Sequence, residues 1–202
     1  MITLRASAIS DFMDCAARAE AKHLLGKRTP SSSKALLGTA LHKSTAVYDN
    51  SVLQGQGITI DEAAGAAVDV LTRPEEDVQF EDGDNAAQLE SIAVGLHKLY
   101  CTEIAPTQEY AAVEVFCDRL EITDLGIALQ GTTDRVRRAG EGFGISDIKS
   151  GGRAVGADGS VRTHGHAAQL GVYELLAEQA GGLQIAAPAE IMGLQTGKTE
   201  RV

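Results

Sequence analysis

A four-residue turn, Ala139-Gly140-Glu141-Gly142, separates two stretches that read as β-strands, residues 127–138 and 143–149. Glycine at the first loop position marks a tight two-residue hairpin. A hairpin fixes more than its own shape, because it decides which residues of the two strands oppose each other. With Gly140 and Glu141 as the loop, Ala139 faces Gly142, and counting outward brings Asp134 directly opposite Asp147. A three- or five-residue loop would stagger that pair by one position.

Opposed residues on neighbouring strands share a face, with β-carbons roughly 4.5–5.5 Å apart. Two carboxylates at that spacing can grip one divalent ion through oxygen, the chemistry expected of Mg²⁺. Lys149 lies two residues beyond Asp147 and projects to the same side. An acidic strand end with an ammonium beside it makes a poor core. It suits a metal-dependent site that cleaves phosphodiesters.

The chain has 202 residues and 44% hydrophobic content, enough for one domain with a real core. No segment approaches the ~20 consecutive apolar residues that span a bilayer, so no membrane partner is expected. Met1-Ile2-Thr3-Leu4-Arg5 lacks the features of a secretory signal. Cys15, Cys101 and Cys117 form neither a disulfide framework nor a CxxC pattern, and a reduced cytoplasmic setting is expected. The net charge of −10 is concentrated in residues 61–90, where ten acids face Arg73 alone and about −1 is left on the remainder. That segment reads as a solvated helix pair with a linker, or as a DNA-mimicking or autoinhibitory patch. Basic groups lie elsewhere: Lys22, Lys27 and Arg28; Arg135, Arg137 and Arg138; Lys149, Arg153 and Arg162. Arg135 and Arg153 are candidates to meet DNA phosphates.

The first half, residues 1–105, reads as mainly helical and includes the acidic insert 61–90. Ser7 is a candidate cap for a helix to Leu25, a second helix runs from Lys34 to Leu53, and Thr59 with Glu62 forms a capping box for a third. Asp84 is a candidate cap for a fourth helix reaching Glu103. Residues 109–120, 127–138 and 143–149 read as strands, 165–178 as a helix and 189–195 as a last strand. Residues 106–202 would then carry a mixed central sheet, an α/β architecture with helices on its faces. A covering helix is expected after the last strand, so the chain is expected to be truncated there or to have that edge covered otherwise.

Further polar residues fall where they could join the aspartates. His42 shares a helix face with Gly38, four residues earlier, and the glycine could let a sheet approach closely. Glu114 lies in the apolar strand Ala112-Val113-Glu114-Val115-Phe116, and Gln169 and Tyr173 share one face of a helix. Each also has a structural reading: His42 as an exposed helix residue, Glu114 as an outward strand position, Gln169 and Tyr173 as surface and core.

Taken in chain order, these stretches resemble the RecB-like branch of the PD-(D/E)XK nuclease superfamily. Ser7-Ala8-Ile9-Ser10-Asp11-Phe12-Met13-Asp14-Cys15 resembles its serine-to-cysteine opening, and Gly38-Thr39-Ala40-Leu41-His42 its glycine–histidine motif. Gln130-Gly131-Thr132-Thr133-Asp134-Arg135-Val136 is similar to its G-x-x-D-R strand. Ile145-Ser146-Asp147-Ile148-Lys149 resembles its D-x-K signature, and Gln169-Leu170-Gly171-Val172-Tyr173 its Q-x-x-x-Y. The resemblance implies that residues 1–202 form one nuclease domain in a restriction-endonuclease-like fold. It implies His42, Asp134, Asp147 and the Ile148 carbonyl as ligands of Mg²⁺ or Mn²⁺. Lys149 would act on the attacking water or the phosphate, and Gln169 and Tyr173 would hold the site or the DNA, with Glu114 as an extra site carboxylate. Some relatives bind an iron–sulfur cluster with an early cysteine and three late ones; here the late triplet is absent, so no cluster is expected and Cys15 is expected to be a small buried side chain.

The implied activity is metal-dependent hydrolysis of DNA, as an exonuclease in recombination, repair or phage DNA processing. A helicase or recombinase partner belongs to the same context, and the residues do not identify one. Two other readings stand beside it: a non-catalytic nucleic-acid-binding subunit, and a hydrolase of small phosphoesters.

Overall fold

A computed structural model describes residues 1–202 apart from 28, 81–83, 151–154, 157, 159, 164, 195–197 and 202, and gives backbone only for 198–201. The elements in order are β1 (Ile2–Arg5), α1 (Ile9–Asp14), α2 (Ala16–Ala19, continued by a π-helical turn Glu20–Leu24), β2 (Ser31–Ser32) and α3 (Ser33–Gln54). Next come α4 (Ile60–Thr72), β3 (Val78–Gln79), α5 (Ala86–Leu99), β4 (Tyr110–Ile122), β5 (Ile127–Ala139) and β6 (Gly142–Lys149). The chain closes with α6 (Ala167–Gln179), β7 (Glu190–Gly193) and β8 (Lys198–Arg201). The mixed α/β class read from the sequence is the one observed, a six-stranded sheet with helices packed against it.

The strand order is β1-β5-β6-β7-β8, with β4 paired to the other side of β5. The hairpin has the register that a Gly140-Glu141 loop dictates: Ala139 pairs with Gly142 and Arg135 with Ser146. One step further out stand Asp134 and Asp147. On that same side, β5 first pairs in parallel with β1, from Ile2–Ile127 to Arg5–Gln130. Its pairing with β6 covers only residues 135–139. Residues 131–134 therefore lie where β5 changes partner, and the sheet opens there beside Asp134.

Two packed layers enclose the sheet. Leu170, Tyr173, Leu176 and Ala177 of α6 pack with Leu129, Val136, Ile145 and Ile191 on one face. Leu41 of α3 packs with Tyr100, Ile104, Ile148, Met192 and Leu194 on the other. Alternation along β6 and β7 explains the division, since Ile145 and Ile148 differ in parity and so do Ile191 and Met192.

Several local expectations change. Helix α3 is capped by Ser32, whose hydroxyl accepts from the Ala35 N–H at 3.2 Å, and ends on Gly55 at φ 64°. The Thr59–Glu62 capping box is present. Asn85 rather than Asp84 caps α5, its side chain accepting from Gln88 N–H at 2.8 Å, while Asp84 accepts from the Ser33 hydroxyl. Ser7 caps nothing; the first helix is split at Cys15, whose extended backbone (φ −153°, ψ 101°) breaks it into α1 and α2. Cys15 is exposed at that break, not buried as expected. β1 was not foreseen at all. Nor was β8, which pairs antiparallel with β7 and occupies the edge expected to need a covering helix.

Candidate active site

The site forms where β5, β6 and α3 meet. Asp134 Oδ2 accepts the backbone N–H of Ile148 at 3.0 Å and lies 3.0 Å from His42 Nδ1. The first contact stands in for a strand-to-strand hydrogen bond at the sheet opening. The second ties α3 to β5. On the neighbouring strand, Lys149 Nζ lies 2.7 Å from Asp147 Oδ2. Asp147 is 2% exposed, yet that oxygen has no partner in hydrogen-bonding geometry. The close contact is thus an ion pair without a well-directed hydrogen bond.

The charges of this cluster are mutually dependent. Burial, then the neighbouring Asp134 charge, push the Asp147 carboxyl up to about 6. Asp134 moves the other way: burial would raise it, but His42, by charge and contact, and then Lys149 and the Ile148 N–H, hold it well below the usual carboxylate range. Burial is the strongest single influence on His42 and would lower it, but the Asp134 charge and contact, joined by the Asp147 charge, together raise it, and its side chain keeps 33% exposure. Lys149 is likewise raised, burial being overcome by Asp147 and Asp134. Like-charged carboxylates pushed apart in this way mark a site short of positive charge.

Helix α6 closes the site from the other side. Gln169 Nε2 donates to the Tyr173 hydroxyl at 3.2 Å, and both side chains are buried. A β-carbon on Gly131 would stand 2.9 Å from Tyr173 Cε1 and 3.1 Å from Ala6 Cβ, so only glycine allows α6 to approach β5 here. Gly38 behaves differently from expectation. An added β-carbon would sit 3.9 Å from Ser150 Oγ, an ordinary contact, so among the described residues no close approach requires that glycine.

Glu114 falls between the Val113–Arg135 and Val115–Thr133 pairs, across β4 from Asp134. It is exposed and has φ 52°, the one non-glycine residue at positive φ among the described residues. Such a conformation costs a bulky residue about 1 kcal/mol or more and gathers at functional positions.

Arg135 requires a correction. It is 1% exposed and points away from Asp134, because consecutive strand residues face opposite sides. Its guanidinium pairs with Asp49 at 2.6 Å, so it cannot reach a DNA phosphate. Arg137 is also inward, 3.2 Å from Glu190, and exposed Arg138 stands 3.4 Å from Glu109. That basic cluster is therefore not an open patch. Arg153 lies outside the described residues, as do Arg28, Gly151 and Gly152.

Two residues near the site carried no sequence signal that we used. Asp49, in the middle of α3, resembles any solvent-facing helical acid. His166 precedes α6 and is lowered by burial and then by the Lys149 charge, which places it within electrostatic reach of that ammonium. A separate cleft of about 590 Å³, lined by Leu36, Thr39, Lys43, Asp69, Arg73 and others between α3 and α4, includes none of the residues His42, Asp134, Asp147 and Lys149.

Among the described residues, no three His, Cys, Asp or Glu side chains stand arranged to hold a metal ion. The donor chemistry nonetheless admits a hard divalent cation: two carboxylates on neighbouring strands offer oxygen to it, with an imidazole beside Asp134. The buried, undirected Asp147 Oδ2 and the raised Asp147 carboxyl show the demand for positive charge there. His42 and Lys149 meet part of that demand from the protein itself. No helix among the described residues is long and apolar enough to cross a membrane.

A family model described as the PD-(D/E)XK nuclease superfamily matches residues 3–201. No curated protein matches the chain.

Proposed function

Because this chain belongs to the PD-(D/E)XK nuclease superfamily, matched over nearly its whole length, we propose that residues 1–202 act as one RecB-like nuclease domain. It hydrolyses DNA phosphodiesters with Mg²⁺ or Mn²⁺, as an exonuclease serving recombination, repair or phage DNA processing. The observation that carries the reading is the opposition of Asp134 and Asp147 with Lys149 2.7 Å from the second carboxylate. A bound divalent ion would act as Lewis acid and lower the pKa of its water. Asp134, Asp147, His42 and the Ile148 carbonyl would hold it.

The chain's own groups account for the remaining chemistry. Asp147 fixes the Lys149 ammonium by charge, and Lys149, 21% exposed in its side chain, presents that charge towards solvent. A scissile phosphate gains negative charge as water attacks, and a preplaced ammonium stabilises it without reorganising. Gln169 and Tyr173 are coupled to each other and buried against the sheet, which suits them to hold the site in shape. Glu114, across β4 from Asp134, is a further site carboxylate in this reading. The low aromatic content of 4%, with no tryptophan, favours grip on duplex backbone over stacking of single strands. A helicase or recombinase partner belongs to the same reading.

The test is degradation of linear and circular DNA, single- and double-stranded, with Mg²⁺, Mn²⁺ or EDTA, beside Asp147→Ala. Metal-dependent loss of linear DNA only, abolished by the substitution, is the expected result. DNA binding with no cleavage under any metal would instead identify a non-catalytic subunit. Turnover of mononucleotide esters alone would identify a small-phosphoester hydrolase.

A further inference from the structure

Asp134 and Arg135 are adjacent on β5 and leave the strand on opposite faces, yet both are fastened to α3. The Arg135 guanidinium divides its donors among three acceptors. Nε meets Asp49 Oδ2 at 2.6 Å, Nη2 donates to Thr45 Oγ1 at 3.0 Å, and Nη1 donates to the Asp134 carbonyl at 2.9 Å. Asp49 is held in turn by the Tyr100 hydroxyl at 2.5 Å. Tyr100 Oη stands 3.0 Å from that of Tyr110, which donates to Met192 Sδ at 3.3 Å. Along α3, His42, Thr45 and Asp49 follow one another at i, i+3 and i+7, so they share a face. Three successive turns of one helix therefore grip two successive residues of one strand.

We propose that Arg135 and Asp49 are positioning residues for cleavage: the guanidinium locks the Asp134 peptide to α3 and so sets the Asp134 carboxylate against His42 and Asp147. This rests on the nuclease reading for its consequence in turnover, though not for its geometry. A buried ion pair is a weak source of stability, since removing charge from water costs as much as the pairing returns. The three-way division of donors instead fixes a direction. Lysine could keep the charge but not the fork, because its ammonium is a compact point charge on a flexible stem.

The test is Arg135→Lys, read in two ways. Turnover of linear duplex DNA with Mg²⁺ should show kcat lower by about 10–100-fold, the cost of about 1 Å of misplacement, with KM within about twofold. In metal-free protein, hydrogen exchange should show the Ile148 amide, which donates to Asp134 Oδ2, losing protection while the amides of α6 and β7 keep theirs. A merely structural role would lower protection throughout the core together, and that result overturns the proposal. So does wild-type kcat in folded Arg135→Lys. Should that variant not fold, Asp49→Leu with Arg135→Met removes both charges at once, a change buried ion pairs often tolerate, and is judged by the same two readings. If the wild type cuts no DNA, the nuclease reading fails by itself, and selective exposure of Ile148 alone decides the positioning.

Discussion

Asp49 with Arg135 and Asp147 with Lys149 are carboxylate–cation pairs of nearly equal length, 2.6 and 2.7 Å, in opposite circumstances. In the first, both side chains are at most 2% exposed, and Asp49 accepts directed bonds from Arg135 and Tyr100. In the second, the cation is partly open to solvent, the carboxylate oxygen lacks a directed donor, and another carboxylate stands opposite. A satisfied pair can serve as a tether. A cluster whose charges remain incompletely matched has work left for a cation or a phosphate. Arg135 on β5 and Asp147 on β6 lie within a few residues of each other in the hairpin, and the first pair reaches to Asp49 on α3 while the second stays within β6.

Substitutions should separate the pairs by what they damage. Lys149→Ala should have the largest effect, lowering kcat about 10⁴-fold through loss of charge at the phosphate and of an ordered water, and it should lower the melting temperature as well because Asp147 stays buried without its cation. Steady-state cleavage beside thermal melting would show it; retained activity would move Lys149 out of the site. Asp49→Ala should fall first on the fold, destabilising it by about 3–5 kcal/mol because it leaves Arg135 buried without its partner, with a smaller loss of kcat through the loosened Asp134. Denaturant unfolding checks this, and a loss below about 1 kcal/mol would mean that Arg135 finds another partner.

Asp147→Asn sharpens the contrast through pH. The native state raises this carboxyl to about 6, so it binds the proton more tightly than the unfolded chain, whose carboxyl titrates near 4. Its stability is then fully present below about pH 4 and falls as pH rises through 6. The asparagine has no proton to lose. In EDTA it should melt like the wild type at pH 4 and be more stable by about 2–3 kcal/mol at pH 7.5; equal melting curves at both pH values would refute the repulsion. Asp134 is shifted oppositely and is present in both proteins, so it does not change the sign of the comparison. Smallest should be Glu114→Gly, which relieves the φ of 52° and stabilises by about 1 kcal/mol. Any fall in cleavage by that variant would draw Glu114 into the site.

The hairpin could be read from residues because its instructions are local: a glycine at the turn and the parity of each strand. The capping box and the glycine that ends α3 are equally local. β1 and β8 are four residues each and owe their pairing to partners elsewhere in the sheet, so no periodic pattern announces them. Asp49 escaped notice for the same reason, its partner being 86 positions away. Arg135 is a different lesson. Once Asp134 faces the site, strand alternation puts Arg135 on the other side, and that parity argument was available in the sequence. Grouping it by charge with Arg137 and Arg138 obscured it.

The change of partner along β5 has a consequence for how the chain is made. Ile2 pairs with Ile127, about 125 residues later. At synthesis rates of roughly 5–20 residues per second, β1 waits on the order of ten seconds for the strand it must join. The hairpin of β5 and β6, by contrast, can close within microseconds once both strands have emerged. A segment of four residues thus stays unpaired until Ile127–Gln130 have been made, whereas the strands that carry Asp134 and Asp147 find each other almost as soon as they exist.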